Sequence, residues 1–328
     1  MDFLQILSNT AAQILSPTTI GFALAATGLA LHFGFTGLLN MGVAGFMAVG
    51  AYGFAISILT FGLPWWLGAI IGIGAAIVFA LILGLPTLRL RGDYLAIVTI
   101  AAAEVVRLLF LTTAFTPVTG SADGLSGFHK DFRAANPLPE FSGNAGFGPW
   151  MYSRDQWWVI IIGLVVTALA VLLVWALMRS PWGRVVKGIR EDEDAVRALG
   201  KNVFSFKLQA LIIGGVIIAL GGIITAMGTN VNPNVYVTSQ TFFIWTALLL
   251  GGAATIFGPV LGAVLFWVVR AFLSNLMPAL VNIGALPFIS NEQAQMLVFV
   301  LIGIALMLLV IFRPQGILGN KKELTFVK

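Results

Sequence analysis

Few side chains in this sequence can do chemistry, and most of them are grouped. Glu191, Asp192, Glu193 and Asp194 are consecutive, and Arg197 and Lys201 follow closely. Acids at the start of a short segment and bases near its end complement a helix dipole. Ala195 to Leu199 are mostly good helix formers, and Gly200 is placed to stop the helix. The segment reads either as a short rigid lever for docking a partner or as a solvated loop. Glu104 and Arg107 stand at i, i+3, on one face of a helix, inside an apolar run. A charge inside a bilayer costs at least about 2.5–3.5 kcal/mol, which a mutual pair lowers. The pair is either a structural link between helices or a polar element beside a pathway. Arg270 comes late in its apolar run and is expected to snorkel to an interface. Asn40, Thr99, Asn230, Asn232 and Asn234 lie near helix ends or breaks, where such groups cap or bridge helices or line a pathway.

No pattern of an enzyme is present. There is no Gly-x-x-x-x-Gly-Lys-Ser/Thr phosphate loop, no His-Glu-x-x-His and no Gly-x-Ser-x-Gly. The triplet Gly200-Lys201-Asn202 lacks the hydroxyl that would hold magnesium, so the chain is not expected to bind a nucleotide itself. Cysteine is absent, which removes disulfides and thiolate metal sites. The two histidines, His32 and His129, have no ligand spacing. Arg91-Gly-Asp93 and the acids at 191–194 have no histidine beside them, and catalysis needs such a constellation.

The elements that must position these residues are membrane spans. Hydrophobic residues are 59% of the chain and charged residues 9%, where a soluble domain carries roughly 25% charged residues. Apolar runs fall at residues 11–33, 38–60, 64–85, 94–114, 157–178, 208–228, 241–256, 259–277 and 294–312. With about 20 residues per span, the 328 residues accommodate about eight to ten spans in one all-α domain over residues 1–328. The run at 241–256 is the shortest and suits a broken or re-entrant helix. The run at 38–60, with glycines at 42, 45, 50 and 53, suits either a simple or a broken helix. The spacings Gly68-x-x-x-Gly72 and Gly258-x-x-x-Gly262, and the pairs Gly214-Gly215 and Gly221-Gly222, favour close helix contact.

Basic residues set the orientation. The net charge of +5 reflects Lys and Arg in short loops rather than a nucleic-acid surface. Arg179, Arg184, Lys187, Arg190, Arg197, Lys201 and Lys207 make residues 179–207 a cytoplasmic loop. Arg89 and Arg91 mark a second, and Arg313, Lys321, Lys322 and Lys328 put the C-terminus inside. The polar segment 115–156 is then outside, with Trp150, Trp157 and Trp158 as an interfacial belt. The first residues contain Asp2 and no Lys or Arg, so the first apolar run is expected to be kept as a span.

Four blocks carry a family resemblance. They are Leu88-Arg-Leu-Arg-Gly-Asp-Tyr-Leu-Ala-Ile-Val-Thr-Ile with Glu104-Val-Val-Arg107; Thr119-Gly-Ser-Ala-Asp-Gly-Leu125; Ile189-Arg-Glu-Asp-Glu-Asp-Ala-Val-Arg-Ala-Leu-Gly200 leading into Phe206-Lys-Leu208; and Gly251-Gly-Ala-Ala-Thr-Ile-Phe-Gly-Pro-Val-Leu-Gly-Ala263. In order and spacing they resemble the permease subunits of branched-chain amino acid ABC importers over roughly residues 20–320. The resemblance implies a bacterial inner-membrane protein that pairs with a homologous second permease. It implies two cytoplasmic ATP-binding subunits that carry the ATP and magnesium, and a periplasmic binding protein that delivers leucine, isoleucine or valine. Glu191, Asp192, Glu193, Asp194, Ala195, Arg197 and Gly200 would contact the ATP-binding subunits. Gly251, Gly252, Gly258 and Gly262 would form a second cytoplasmic contact. Two departures stand out. Asp194-Ala-Val-Arg replaces a pair of alanines common in relatives, and no Gly-Gly or Arg-Gly pair precedes Asp-Gly-Leu. Relatives of this architecture also carry urea, amides or aromatic acids. A secondary transporter is the competing reading, but Glu104, the one convincing intramembrane acid, has Arg107 to neutralise it.

Overall fold

A computed structural model describes residues 3–88, 92–140, 143–284, 286, 288–313 and 315–319. Arg89, Arg91, Lys321, Lys322 and Lys328 lie outside them. The chain is almost entirely helical. A short helix α1 (Phe3–Ala12) precedes α2 (Pro17–Leu29), which continues through a π-helical turn (Ala30–Phe35). Next come α3 (Val43–Phe61), α4 (Trp65–Thr87) and α5 (Gly92–Leu111). Two short helices, α6 (Thr116–Thr119) and α7 (Lys130–Ala134), and an antiparallel hairpin of β1 (Ala145–Phe147) and β2 (Trp150–Tyr152) form a loop. The chain then makes α8 (Arg154–Arg179), α9 (Pro181–Glu191), α10 (Glu193–Ala198) and α11 (Val203–Gly228). It closes with α12 (Thr238–Gly251), α13 (Gly258–Asn282) and α14 (Asn291–Phe312).

Local chemistry fixes these boundaries. Ser16 accepts a hydrogen bond from Thr19 N at the start of α2, and Pro17 occupies the first turn, where its missing N–H is not needed. Ser153 and Gln156 form a capping box on α8. Ser180, with Pro181, opens α9, and Asn202 caps α11. Pro278 lies inside α13 and has no N–H to give the carbonyl of Ser274. The Gln295 side chain of α14 donates to that carbonyl instead, at 3.1 Å. This replacement lets α13 run on past Met277, where the apolar run ends.

Among the described residues, seven helices are long and apolar enough to cross a membrane: Pro17–Phe35, α3, α4, Tyr94–Leu111 of α5, α8, α11 and α13. With α14 and the short α12, the bundle lies within the expected size. One end carries the loop of α6, α7 and the hairpin. There Trp150 Nε1 donates to Ala11 O and the Tyr152 hydroxyl donates to Ala12 O, so α2 starts at this loop end. The opposite, basic end carries α9 and α10, where the Arg190 guanidinium donates to Gly34 O.

The chain order repeats with inverted direction. Helix α2 runs from the loop end to the basic end. A non-helical segment at 36–42 turns back, α3 returns to the loop end, and α4 and α5 follow. Helix α11 runs the other way, residues 229–237 dip back, α12 continues to the basic end, and α13 and α14 follow. At 14 residues α12 spans about 21 Å, short of a hydrocarbon core of about 30 Å. Helices α2 and α11 form the central antiparallel pair. Gly21 faces Gly221 and Gly28 faces Gly214, each packed on the other's carbonyl oxygen so that no Cβ fits. In lipid such backbone approach, not hydrophobic exclusion, holds helices together. The two small-x-x-x-small motifs play matching parts. Gly68 and Gly72 pack on α3, and Gly258 and Gly262 pack on α12 and the turn after it.

Of the two alternatives for the run at 38–60, the broken form holds, because α3 begins only at Val43. One expectation is corrected. Arg270 does not lie near an interface: α13 extends to Asn282, which puts Arg270 at its midpoint.

Candidate functional site

The basic end holds the most exposed polar device. Helix α9 turns its Gly183, Val186 and Ile189 inward and leaves Arg184 and Lys187 exposed. Ile189 joins Val196 of α10 and Val203 of α11 in a small apolar cluster that seats the elbow between α9 and α10. Asp192 is the hinge of this elbow. Its backbone is extended, and its Oδ1 accepts from Asp194 N and Ala195 N, both at 3.0 Å. Carboxylates at that position also favour the helix dipole. Arg197 bonds Asp194 at 2.7 Å and Glu193 at 2.9 Å, and Lys207 of α11 pairs with Glu193. Glu191, the last residue of α9, pairs with Arg190 at 2.7 Å. Gly200 adopts φ 76° and stops the segment. The elbow is therefore braced from below while Ala195, Arg197, Leu199 and Gly200 face outward.

Leu199 is 79% exposed, an apolar tip on an otherwise polar elbow. Sequence reasoning passed over it as part of a helix former run. The signal was present: a lone leucine immediately before the glycine that ends the helix cannot be covered by its own helix. The second candidate contact has a similar character. Gly251, Gly252, Gly258 and Gly262 are all buried, packed against one another, against Ala247 O and against residues 315–319. They shape the turn, and Phe257, 63% exposed, is its surface. The chain end closes over the turn from the other side, with Ile317 N and Leu318 N donating to the carbonyls of Leu250 and Gly251.

At mid-depth, Asn40 and Thr99 serve the break at 36–42. Asn40 is fully buried. Its amide nitrogen lies 3.1 Å from His32 Nδ1, its Oδ1 accepts from Gly42 N, and its carbonyl accepts from Trp245 Nε1. His32 Nε2 faces Leu211 O at 3.1 Å, which assigns the proton to Nε2 and leaves Nδ1 to accept from Asn40. Thr99 of α5 accepts from Met41 N, and Thr241 of α12 accepts from Ala44 N. These groups supply partners for backbone that no helix satisfies, as any break in lipid requires. Asn232 acts likewise at the other dip. It accepts from Asn234 N and donates to Ala122 O. Asn230 is exposed nearby.

Glu104 and Arg107 form a close fork on α5, with Arg107 Nε 3.0 Å from both carboxylate oxygens. The Glu104 side chain is 38% exposed, beside the exposed apolar residues Val105 and Leu108. A charge pair on an open face of a span is poorly suited to lipid.

At the loop end, the block 119–125 clasps the second dip. Leu125 and Val231 exchange backbone hydrogen bonds at 2.7 and 3.1 Å. Thr119 and Ser121 donate to Phe110 O and Leu111 O at the end of α5. Ser121 has φ 48°, unusual outside glycine and strained. Tyr52 stacks on Phe110 with ring centres 4.0 Å apart. Burial raises the Tyr152 hydroxyl above the usual phenol range as it donates to Ala12 O.

This inverted bundle, with an exposed elbow at one end and a clasped loop at the other, defines a multi-pass, all-α membrane protein. Residues 12–311 match the family described as the branched-chain amino acid transport system permease component, and the chain belongs to that family. It is 31% identical over 312 residues to the high-affinity branched-chain amino acid transport system permease protein LivM of Escherichia coli K12, covering 92% of this chain and 68% of that one. It is 28% identical over 269 residues to a probable LivM permease of Methanocaldococcus jannaschii, covering 78% of this chain and 72% of the relative. It is also 26% identical over 280 residues to the guanosine ABC transporter permease protein NupQ of Bacillus subtilis, covering 79% of this chain and 82% of that protein.

Proposed function

We propose that this chain is the membrane-spanning permease subunit of an ATP-driven importer for branched-chain amino acids in a bacterial inner membrane. Leucine, isoleucine or valine arrives at the loop end from a periplasmic binding protein. The basic end is cytoplasmic, as is the C-terminal segment packed on the turn after α12. The whole chain acts as one membrane domain. It pairs with a homologous second permease, and the open face of α5 with its Glu104–Arg107 fork suits that contact or the path between the two. Two ATP-binding subunits hold ATP and magnesium and meet this chain at the elbow, with Phe257 as a second point. The two most identical relatives named above are branched-chain amino acid permeases, which supports this substrate over guanosine.

The observation that carries the coupling role is the braced elbow. Asp192 caps α10, Glu193 ties it to α11, and Leu199 is left uncovered at its tip. Such a part transmits a push because its own side chains, and not a partner, hold its shape. In the purified complex, Leu199→Asp and Asp194→Arg are expected to remove ATP-dependent leucine uptake while leaving the amount of chain in the membrane unchanged. Wild-type uptake by both variants would exclude the elbow as the coupling contact. Recovery of the tagged chain without ATP-binding subunits, under conditions where control complexes survive, would exclude the importer.

A further inference from the structure

Arg270 stands at the midpoint of α13, about 18 Å along the helix from either end. Its guanidinium carbon lies 4.7 Å from the ring centre of Trp267, 5.9 Å from Phe243 of α12 and 6.0 Å from Phe299 of α14. Among the described residues, no hydrogen bond or ion pair reaches it. Its Nε is buried without a partner, and its terminal nitrogens keep accessible surface. One turn towards the basic end, the indole N–H of Trp267 is buried and equally without an acceptor.

A cation at this depth is costly unless something answers it. Three ring faces contribute cation–π attraction, but rings accept no hydrogen bond in the plane of the guanidinium. The contrast within the molecule is direct, because Arg107 on α5 has Glu104. The surroundings of Arg270 also depart from a lipid-facing surface. Glu292, Gln295 and Phe299 share one exposed face of α14 at i, i+3 and i+7. Gln295 bridges to Ser274, and Asn291 Nδ2 donates to Asn282 at 3.3 Å. A line of polar groups thus leads from the loop end down the groove between α13 and α14 to Arg270.

The place combines unengaged guanidinium N–H groups with aromatic walls, one of which, Phe299, is 43% exposed. That is the complement of a small solute bearing a carboxylate at one end and a branched aliphatic chain at the other. A planar guanidinium suits carboxylate by paired hydrogen bonds. We propose that Arg270, beside the mutually stacked rings of Phe243 and Phe299, receives the carboxylate of the transported solute midway across the membrane. This rests on the amino-acid importer reading above.

The test uses the complete complex in proteoliposomes, with leucine uptake and ATP hydrolysis measured side by side for wild type, Arg270→Met and Arg270→Lys. Loss of a charged hydrogen-bond partner predicts that Arg270→Met lowers leucine moved per ATP by about tenfold or more. Stimulation of ATP hydrolysis by the loaded binding protein should persist, and Arg270→Lys, which keeps the charge but cannot make the paired contact, should fall between wild type and Arg270→Met. Wild-type uptake by Arg270→Met would overturn the assignment. So would loss of the second permease from both variants on purification, which would make Arg270 an assembly contact. If the wild-type complex moves no leucine, the amino-acid reading fails by itself, and the same variants are compared on the solute that is moved. A carboxylate-bearing solute lost with Arg270→Met supports the site, and a transported solute without a carboxylate overturns it.

Discussion

The two inverted halves use one order of elements but satisfy their breaks in opposite ways. In the first half, the dip at 36–42 is closed inside the bundle by its own Asn40 together with His32, Thr99 and Trp245, which are reached from helices. In the second half, the dip at 229–237 is closed at the loop end, by Asn232 and by the clasp between Leu125 and Val231. The charges follow the same divide. The first half contains a cation with its own carboxylate, and the second contains a cation with only rings around it. A shared scaffold therefore fixes where helices break, and each half decides separately how much of that break it closes with its own side chains.

Three substitutions break this comparison with decreasing force. The central pair is common to both halves, so Gly28→Leu should be the most damaging. Its side chain meets Gly214 O and Ile218, and overpacking costs about 1–3 kcal/mol or more. The expected outcome is loss of monodisperse protein in detergent. Next comes Asn40→Ala. It leaves Gly42 N and His32 Nδ1 without partners at a fully buried position, which should cost about 1–3 kcal/mol, measured as a lowered unfolding temperature. Asn232→Ala removes a half-buried cap and should cost about 1 kcal/mol by the same assay. If Asn232→Ala were as damaging as Asn40→Ala, the contrast between an inner and an outer closure would fail.

The spans were legible because long apolar runs have few other uses, and α10 was legible from its charges and helix-forming residues, whereas α9 reads only as part of a loop. Gly200 ends its segment as its place after a helix-forming run required. The break at 36–42 was half legible, since the glycines of 38–60 allowed it without deciding it. Hydropathy counts apolar residues and is blind to partners such as His32, Thr99 and Trp245, which become neighbours only after folding. The depth of Arg270 was hidden for a related reason. Pro278 marks a plausible helix end, and only Gln295, on another helix, supplies what the proline removes. Exposed Leu199 was within reach of the sequence, and the clasp of 119–125 on Val231 was not, since its partners are more than one hundred residues apart.

The glycine seam between α2 and α11 has a consequence for how the chain is made. Helix α2 emerges before α11 and is the least apolar of the seven, yet it is almost wholly buried in the finished bundle. Its seam partners Gly214 and Gly221 lie on α11, which is made only after α3, α4, α5 and α8. Until then, α2 must wait in the bilayer with its narrow face towards lipid or an insertion factor. Biogenesis of this permease is thus set up as a delayed closure, in which the arrival of α11 converts a weakly held segment into the axis of the molecule.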